Sequence, residues 1–321
     1  MDIKNKEVIF LELLAPAGDF ECLKAAVQNG ADTVYFGASS FSARAFASNF
    51  NDDDLKKAIT YAKIRGIKTN LTLNTLLKDN EFNDAIKLAE KAYIYGIDAI
   101  IVQDLGFAKY LIENFPGLAV HASTQLSVHN LEGVLKLQEL GFSRVVLSRE
   151  LSLPEIEHIC KNSNVEIEVF VHGALCISYS GQCLFSSMVG GRSGNRGKCA
   201  QPCRLPYELT NQSEVFDKGY LLSPRDLCGL EYLPQLVKAG VFCLKIEGCM
   251  KTPEYVATVT RIYRKYLDLA KSTESNKLYK IDVQDKQDLL QVFNRGGFSD
   301  GHLSGFPNKN LVYSEKSNNM G

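Results

Sequence analysis

Apolar and polar positions along the chain follow a repeating unit: an amphipathic helical stretch, a glycine, then a short run rich in β-branched and aliphatic residues. The glycines are Gly30, Gly66, Gly96, Gly117, Gly141 and Gly240, each placed where a left-handed residue can end a helix. The runs behind them predict strands over Thr33–Phe36, Lys68–Leu73, Ala99–Val102, Ala119–Ala122, Arg144–Leu147 and Cys243–Ile246. Leu13–Ala15 supplies a strand before the first glycine and Glu166–Val171 another after Asn164, which makes eight. The helices between them carry one apolar face each, as in Leu55, Ala58, Ile59 and Ala62, in Ala85, Leu88, Ala89 and Ala92, and in Leu131, Val134 and Leu135.

Strands that alternate with helices pair in parallel through right-handed crossovers, and eight such units fit a closed α/β cylinder, a (β/α)8 TIM-like barrel, better than an open doubly wound sheet. The barrel is expected over residues 1–271. Its rhythm breaks between strands seven and eight, where residues 172–242 form a cysteine-rich insertion. That insertion leaves the carboxyl end of a strand, the face on which barrels of this kind build their active sites. The last helix reads as Pro253–Lys271; beyond it, residues 272–321 are polar and predict a loosely ordered extension, Ser314–Gly321 most of all.

An apolar content of 45% over 321 residues can bury a large core and excludes a disordered chain. With 36 Lys and Arg against 37 Asp and Glu, no global charge favours nucleic acid or membrane, so any such preference must be local. Met1–Phe10 has no apolar signal core and no apolar run is long enough to span a bilayer, which predicts a cytoplasmic protein with no membrane partner. In that compartment thiols stay reduced, and nine cysteines, an odd number, suggest metal ligation where they cluster.

They cluster once, as Cys176, Cys183, Cys199 and Cys203, in the spacing Cys-x6-Cys-x15-Cys-x3-Cys. Four soft thiolates can complete a tetrahedral zinc site or hold an iron-sulfur cubane. Zinc ribbons favour two close cysteine pairs; here only the second pair is close, which leans toward a cluster with zinc as the alternative. Buried ordinary thiols are the plain competing reading, opposed by the glycine-rich, loop-like stretch Gly190–Gly197 beside Cys199. Cys22, Cys160 and Cys243 fall inside helix or strand patterns and read as core; Cys228 and Cys249 stay open, and either could replace Cys203 as a ligand. From Val169 to Tyr207 there is no acidic residue, while Arg192, Arg196, Lys198 and Arg204 all lie there. This local positive charge could offset a thiolate-ligated cluster, or bind RNA phosphates or a small carboxylate.

The run Gly190–Lys198 is not a phosphate-binding P-loop, because Arg192 stands at its first glycine position and Cys199 at its Ser or Thr position. No His-Glu-x-x-His helix and no Gly-x-Ser-x-Gly elbow is present. At the predicted barrel mouth the polar candidates for acid, base or hydrogen-bonding roles are Asn74, Gln103, His121, Ser123, Gln125, Arg149, His172 and Glu247, each of which could equally make a structural bond at the rim. Glu247 could also be the ion-pair partner of Lys245.

Glu168-Val-Phe-Val-His-Gly-Ala-Leu-Cys176, followed by Ser180-Gly-Gln-Cys183-Leu-Phe-Ser186, resembles the signature of peptidase family U32. Leu11–Asp19, Ser223-Pro-Arg-Asp-Leu227 and Lys245-Ile-Glu-Gly248 resemble its other stretches, and the likeness runs from about residue 11 to 305. The resemblance implies an enzyme: collagenase-like by the family's name, but iron-sulfur hydroxylation by its better-understood branches. These act on the wobble uridine of tRNA, on an rRNA cytidine or in ubiquinone synthesis. It further implies that Cys176, Cys183, Cys199 and Cys203 hold a 4Fe-4S cluster, that the substrate is an RNA pyrimidine, and that a small carboxylate such as prephenate takes part. The close final cysteine pair favours the RNA branch. Relatives of that branch continue into a carboxyl-terminal domain, so a partner subunit from the family, even a noncatalytic role beside it, is a further expectation.

Overall fold

The computed structural model describes residues 11–38, 40–43, 50–211, 214–272, 279–305 and 309–312. Seven strands follow one another as β1 (Glu12–Pro16), β2 (Thr33–Gly37), β3 (Lys68–Leu73), β4 (Ala99–Val102), β5 (Ala119–Ala122), β6 (Arg144–Val146) and β7 (Glu166–Gly173). Between them run α1 (Phe20–Gln28), α2 (Asp52–Lys63), α3 (Asp79–Tyr95), α4 (Leu105–Asn114), α5 (Leu131–Glu139) and α6 (Leu153–Asn162). The chain then leaves the barrel through α7 (Phe185–Gly190), the hairpin β8 (Tyr207–Asn211) and β9 (Glu214–Gly219), and β10 (Asp226–Cys228). It returns by α8 (Leu233–Ala239) to β11 (Cys243–Ile246), which pairs in parallel with β1 on one side and β7 on the other. That double pairing closes an eight-stranded parallel barrel and excludes the open doubly wound sheet.

Local sequence explains the elements. Asp19, Asn51, Asp104 and Asn130 each accept a first-turn backbone N–H and start α1, α2, α4 and α5. The glycines read as helix stops all adopt positive φ. The predicted inner face of α2, Leu55, Ala58, Ile59 and Ala62, is buried, whereas in α5 Leu137 takes the inward place assigned to Leu135.

Polar residues also fill the barrel interior. Arg144 donates to Glu12 at 2.8 and 3.3 Å and to Glu168 at 3.2 Å, while Lys245 donates to Glu168 at 2.8 Å. Two buried cations and two buried anions thus offset one another, and Arg144 also bonds the half-buried Glu166 at 2.8 Å, as buried charge requires.

The expectation of a loose extension after the last barrel helix is corrected for its first part. The helix α9 (Pro253–Ser272) is followed by α10 (Val283–Val292), tied to it by Lys265 and Tyr266 on Asp285 at 2.6 and 2.7 Å. The strand β12 (Phe298–Ser299) then pairs in parallel with β10, and Arg295 bonds Asp226 at 2.8 Å. The anchors, Leu289 and Leu303 among them, are too sparse to make a periodic pattern, so packing on the insertion orders this segment. Ser314–Gly321 lies outside the described residues.

Candidate active site at the barrel mouth

The carboxyl end of β7 leads into the cysteine loop through Gly173, whose φ is +106° and where a Cβ would stand 2.7 Å from the Glu247 carbonyl oxygen. Only glycine fits that turn. The loop is then pinned across the mouth. Arg149, after β6, donates to the Ala174 carbonyl at 3.0 Å and to Cys176 Sγ at 3.7 Å. Glu150 accepts the Ser180 N–H and hydroxyl, each at 3.0 Å. Gln182 donates to Ser127 Oγ at 2.7 Å, and Gly181 lies so close to the Gln125 carbonyl that a Cβ would meet it at 2.5 Å.

Cys176 and Cys199 are exposed, and Cys183 and Cys203 half-buried. Burial pushes the Cys203 thiol up, Arg204 opposes this, and the charges of Cys176, Cys199 and Cys183 each raise it further. The quartet therefore shares one electrostatic field. Cys228 is drawn elsewhere, to the Tyr263 hydroxyl at 3.8 Å, and Cys22, Cys160 and Cys243 belong to α1, α6 and β11 as expected. The backbone N–H of Gln201 donates to Cys199 Sγ at 3.3 Å. Four thiols with one N–H and a guanidinium directed at sulfur are a donor set suited to an iron-sulfur cluster. Among the described residues, no three His, Cys, Asp or Glu side chains stand close enough to hold a single metal ion.

Of the basic residues in this loop, Arg196 and Arg204 are tied to groups outside residues 190–207. Arg196 forms an ion pair with Glu81, with contacts at 2.5 and 3.0 Å, and also donates to the Leu76 carbonyl. Arg204 is spent on Ser223 Oγ and the carbonyls of Pro224 and Leu175. Arg192, which donates to the Lys198 carbonyl at 3.0 Å, and Lys198 itself are exposed.

The candidates at the strand ends divide. Asn74 accepts the Ala43 N–H at 2.9 Å and donates to Ser123 Oγ at 3.3 Å; Gln103 donates to the Gln125 carbonyl at 3.3 Å. The side-chain oxygens of Gln103 and Gln125 are buried with no partner among the described residues, two acceptors a ligand or water could satisfy. His121 points instead into the barrel, where burial and then the charges of Arg144, Lys245 and Lys68 push its pKa well down. His172 is enclosed by Tyr255, Tyr263 and Phe298 with ring centroids 5.2–6.0 Å away, and burial takes it to about 3. Tyr263 donates its hydroxyl to the Val171 carbonyl at 2.8 Å, so His172 Nδ1, 3.2 Å away, carries a proton and Nε2 is a buried lone pair. Both histidines are neutral at physiological pH. Glu247 is not the partner of Lys245, which bonds Glu168; it stands near Lys251, which burial and then Arg295 bring down to about 7 against the pull of Asp226 and Glu247.

Beside Cys176 opens a cavity of about 590 Å³ lined in part by His129, Glu150, Glu155, Tyr179 and His302. Sequence reading passed over all five. Glu150 follows Arg149 past the end of β6, where the rule that selected Arg149 could have found it; His129, seven residues beyond β5, and His302 carried no such signal. No helix among the described residues is long and apolar enough to cross a membrane.

Comparison with known proteins adds three relatives and a family. A model of peptidase family U32 matches residues 18–312. The chain is 43% identical over 260 residues to the 23S rRNA 5-hydroxycytidine C2501 synthase of Escherichia coli, covering 80% of this chain and 39% of that protein. It is 39% identical over 268 residues to the tRNA hydroxylation protein P1 of Bacillus subtilis, covering 80% of this chain and 63% of the relative. To the collagenase of Porphyromonas gingivalis it is 37% identical over 315 residues, covering 92% and 73%. The chain thus spans well under half of the first relative and less than two thirds of the second.

Proposed function

The chain belongs to peptidase family U32, and on that footing we propose that it is an enzyme hydroxylating a pyrimidine of RNA, a tRNA wobble uridine or an rRNA cytidine. The observation that carries this reading is the cysteine quartet at the barrel mouth in a chain 43% and 39% identical to two proteins named for RNA hydroxylation. Cys176, Cys183, Cys199 and Cys203 would hold a 4Fe-4S cluster, which supplies electron-transfer chemistry when bound. Arg149 and Arg204, both coupled to Cys176, would offset its negative charge. Exchanging C–H for C–O–H is a two-electron oxidation: with water as the oxygen source, two electrons and two protons pass to an acceptor from outside the chain, and with an oxygen-atom donor from outside the chain the donor itself takes the electrons; a small carboxylate such as prephenate is the co-substrate in this reading. The chain's own part is to hold the base and the cluster together and to exclude water.

Anaerobic purification with iron, sulfide and zinc analysis tests the cofactor. Stoichiometric iron and sulfide in the native chain, lost in Cys176→Ala, is expected; zinc alone, or no metal, overturns it. Nucleoside mass spectrometry of RNA from a deletion strain tests the activity: a hydroxylated pyrimidine should vanish, and an unchanged profile overturns the reading.

The name of the Porphyromonas relative favours a second reading, a collagenase-like peptidase. Among the described residues, the nearest approach to hydrolase machinery is Ser148, His129 and Glu150, with Ser148 Oγ 3.4 Å from His129 Nδ1 and Glu150 3.2 Å from Nε2. The arrangement does not support nucleophilic attack. His129 Nδ1 lies 2.7 Å from the Ser127 carbonyl, to which it must donate, so it cannot take a proton from Ser148, itself only 4% exposed. Gelatin cleavage by the metal-loaded chain, abolished in Ser148→Ala, would restore this reading.

A further inference from the structure

We propose that the cavity beside Cys176 is a nucleobase pocket that receives a pyrimidine flipped out of its RNA, with Tyr179 as the stacking platform and Glu155 and His302 reading the edge of the base. The inference rests on the RNA reading above and names the site that would carry it out.

Four observations converge. The cavity, about 590 Å³, has room for a pyrimidine and its ribose, and Cys176 forms part of its wall, so a base inside lies next to the cysteine quartet. Tyr179 is 63% exposed, yet it is not loose. It packs edge-on against the His129 ring at 5.3 Å and 73°. His129 is in turn held by the Ser127 carbonyl at 2.7 Å and by Glu150 at 3.2 Å. An aromatic ring that is held in place and largely exposed is what an unstacked base needs.

The polar lining selects the ligand class. Glu150 and Glu155 both face the cavity and among the described residues no Lys or Arg lines it, so a phosphate or carboxylate would be repelled there. A neutral base would not. Glu150 is fully engaged by Ser180 and His129. Glu155 uses only Oε2, which accepts the Ser152 N–H at 2.8 Å and hydroxyl at 2.6 Å, and among the described residues Oε1 has no partner. It is an acceptor for the N3–H of uracil or the exocyclic amine of cytosine. The His302 ring also has no partner among the described residues and can donate to a pyrimidine carbonyl. The RNA phosphates would then stay outside, where Arg192 and Lys198 are exposed on the same insertion.

The chain contains no tryptophan, so Tyr179→Trp keeps a stacking ring and adds one tryptophan, excited at wavelengths where the tyrosines do not absorb, inside the cavity. The full-length variant is titrated with a single-stranded RNA carrying one uridine or cytidine among abasic sites and with a fully abasic strand of equal length, while anisotropy reports total binding. Quenching by the pyrimidine strand and none by the abasic strand is expected. Tyr179→Ala and His302→Ala should each weaken binding of the pyrimidine strand by about ten-fold and leave the abasic strand unaffected, with iron content and circular dichroism unchanged. Equal quenching by both strands, or binding without quenching and no loss in either alanine variant, overturns the pocket. Pyrimidine-dependent quenching in a chain that hydroxylates no RNA would keep the pocket and remove the activity; hydroxylation undiminished in Tyr179→Ala would do the reverse.

Discussion

Replacing Arg144 by Met keeps most of the side-chain volume inside the barrel and removes one of the two interior cations. Arg144 is 3% exposed; its guanidinium serves Glu12, 0% exposed, at 2.8 and 3.3 Å, and Glu168, also 0% exposed, at 3.2 Å. After the change Glu168 keeps Lys245 at 2.8 Å, but among the described residues Glu12 retains Lys68 as its only cation, at 3.6 Å and with its side chain 55% exposed, beside the Cys243 thiol at 3.7 Å. Stranding one member of a buried pair costs about 3–5 kcal/mol, a large part of a domain's total stability of about 5–15 kcal/mol. With a urea slope of about 3 kcal/mol/M, the midpoint should fall by about 1–2 M, followed by circular dichroism. Acid should erase the difference. Burial raises Glu12, but the hydrogen bond and charge of Arg144 outweigh it and hold the carboxyl below its ordinary 4.5. A folded pKa that is depressed contributes stability above 4.5, lost as pH falls through the folded value, so native chain and variant should converge in acid. Glu12→Gln added to Arg144→Met should recover part of the loss, because it neutralises the stranded carboxylate. A single-variant cost under about 1 kcal/mol, or a double variant worse by the sum of both singles, would refute the network.

Gly173→Ala should cost about 2 kcal/mol or more and lower the iron content, since its φ of +106° and the Glu247 carbonyl 2.7 Å from the new Cβ leave no relaxed position; unchanged thermal melting would contradict this. Arg196→Ala breaks a partly exposed pair, so global stability should move by less than about 1 kcal/mol while limited proteolysis between Gly190 and Lys198 accelerates; equal cleavage rates would show the loop is held elsewhere. Lys251 has its pKa lowered to about 7 in the fold from 10.5, so the unfolded chain binds more protons between those values and the native chain should gain stability as pH rises from about 7 to 10. In Lys251→Met that rise should flatten; identical slopes would place the ammonium in water.

The parts of the candidate site that were legible before folding were those tied to covalent spacing. The quartet Cys176, Cys183, Cys199 and Cys203 was visible because thiols are rare and their clustering stands out, and Asn74, Gln103, Arg149 and Glu247 because a strand end predicts the barrel mouth. His121 was not separable from them. It lies within β5, whose register with Arg144 on β6 sets it in the interior layer, and alternation along four residues cannot fix depth in a barrel. Arg196 and Arg204 read as free cations since their acceptors, Glu81 and the Leu175 and Pro224 carbonyls, are remote in sequence or belong to the backbone.

Amphipathic period, helix-stopping glycines and caps act between residues a few positions apart, so the chain by itself determined eight strand–helix units, their parallel order and the loop that bears the cysteines. Closure of β11 onto β1 and β7, the cavity of His129, Glu155, Tyr179 and His302, and the anchoring of residues 279–305 were decided only in three dimensions. Those features join groups up to about two hundred and thirty residues apart, as in Glu12 and Cys243, and such contacts exist only once a barrel has brought its ends together.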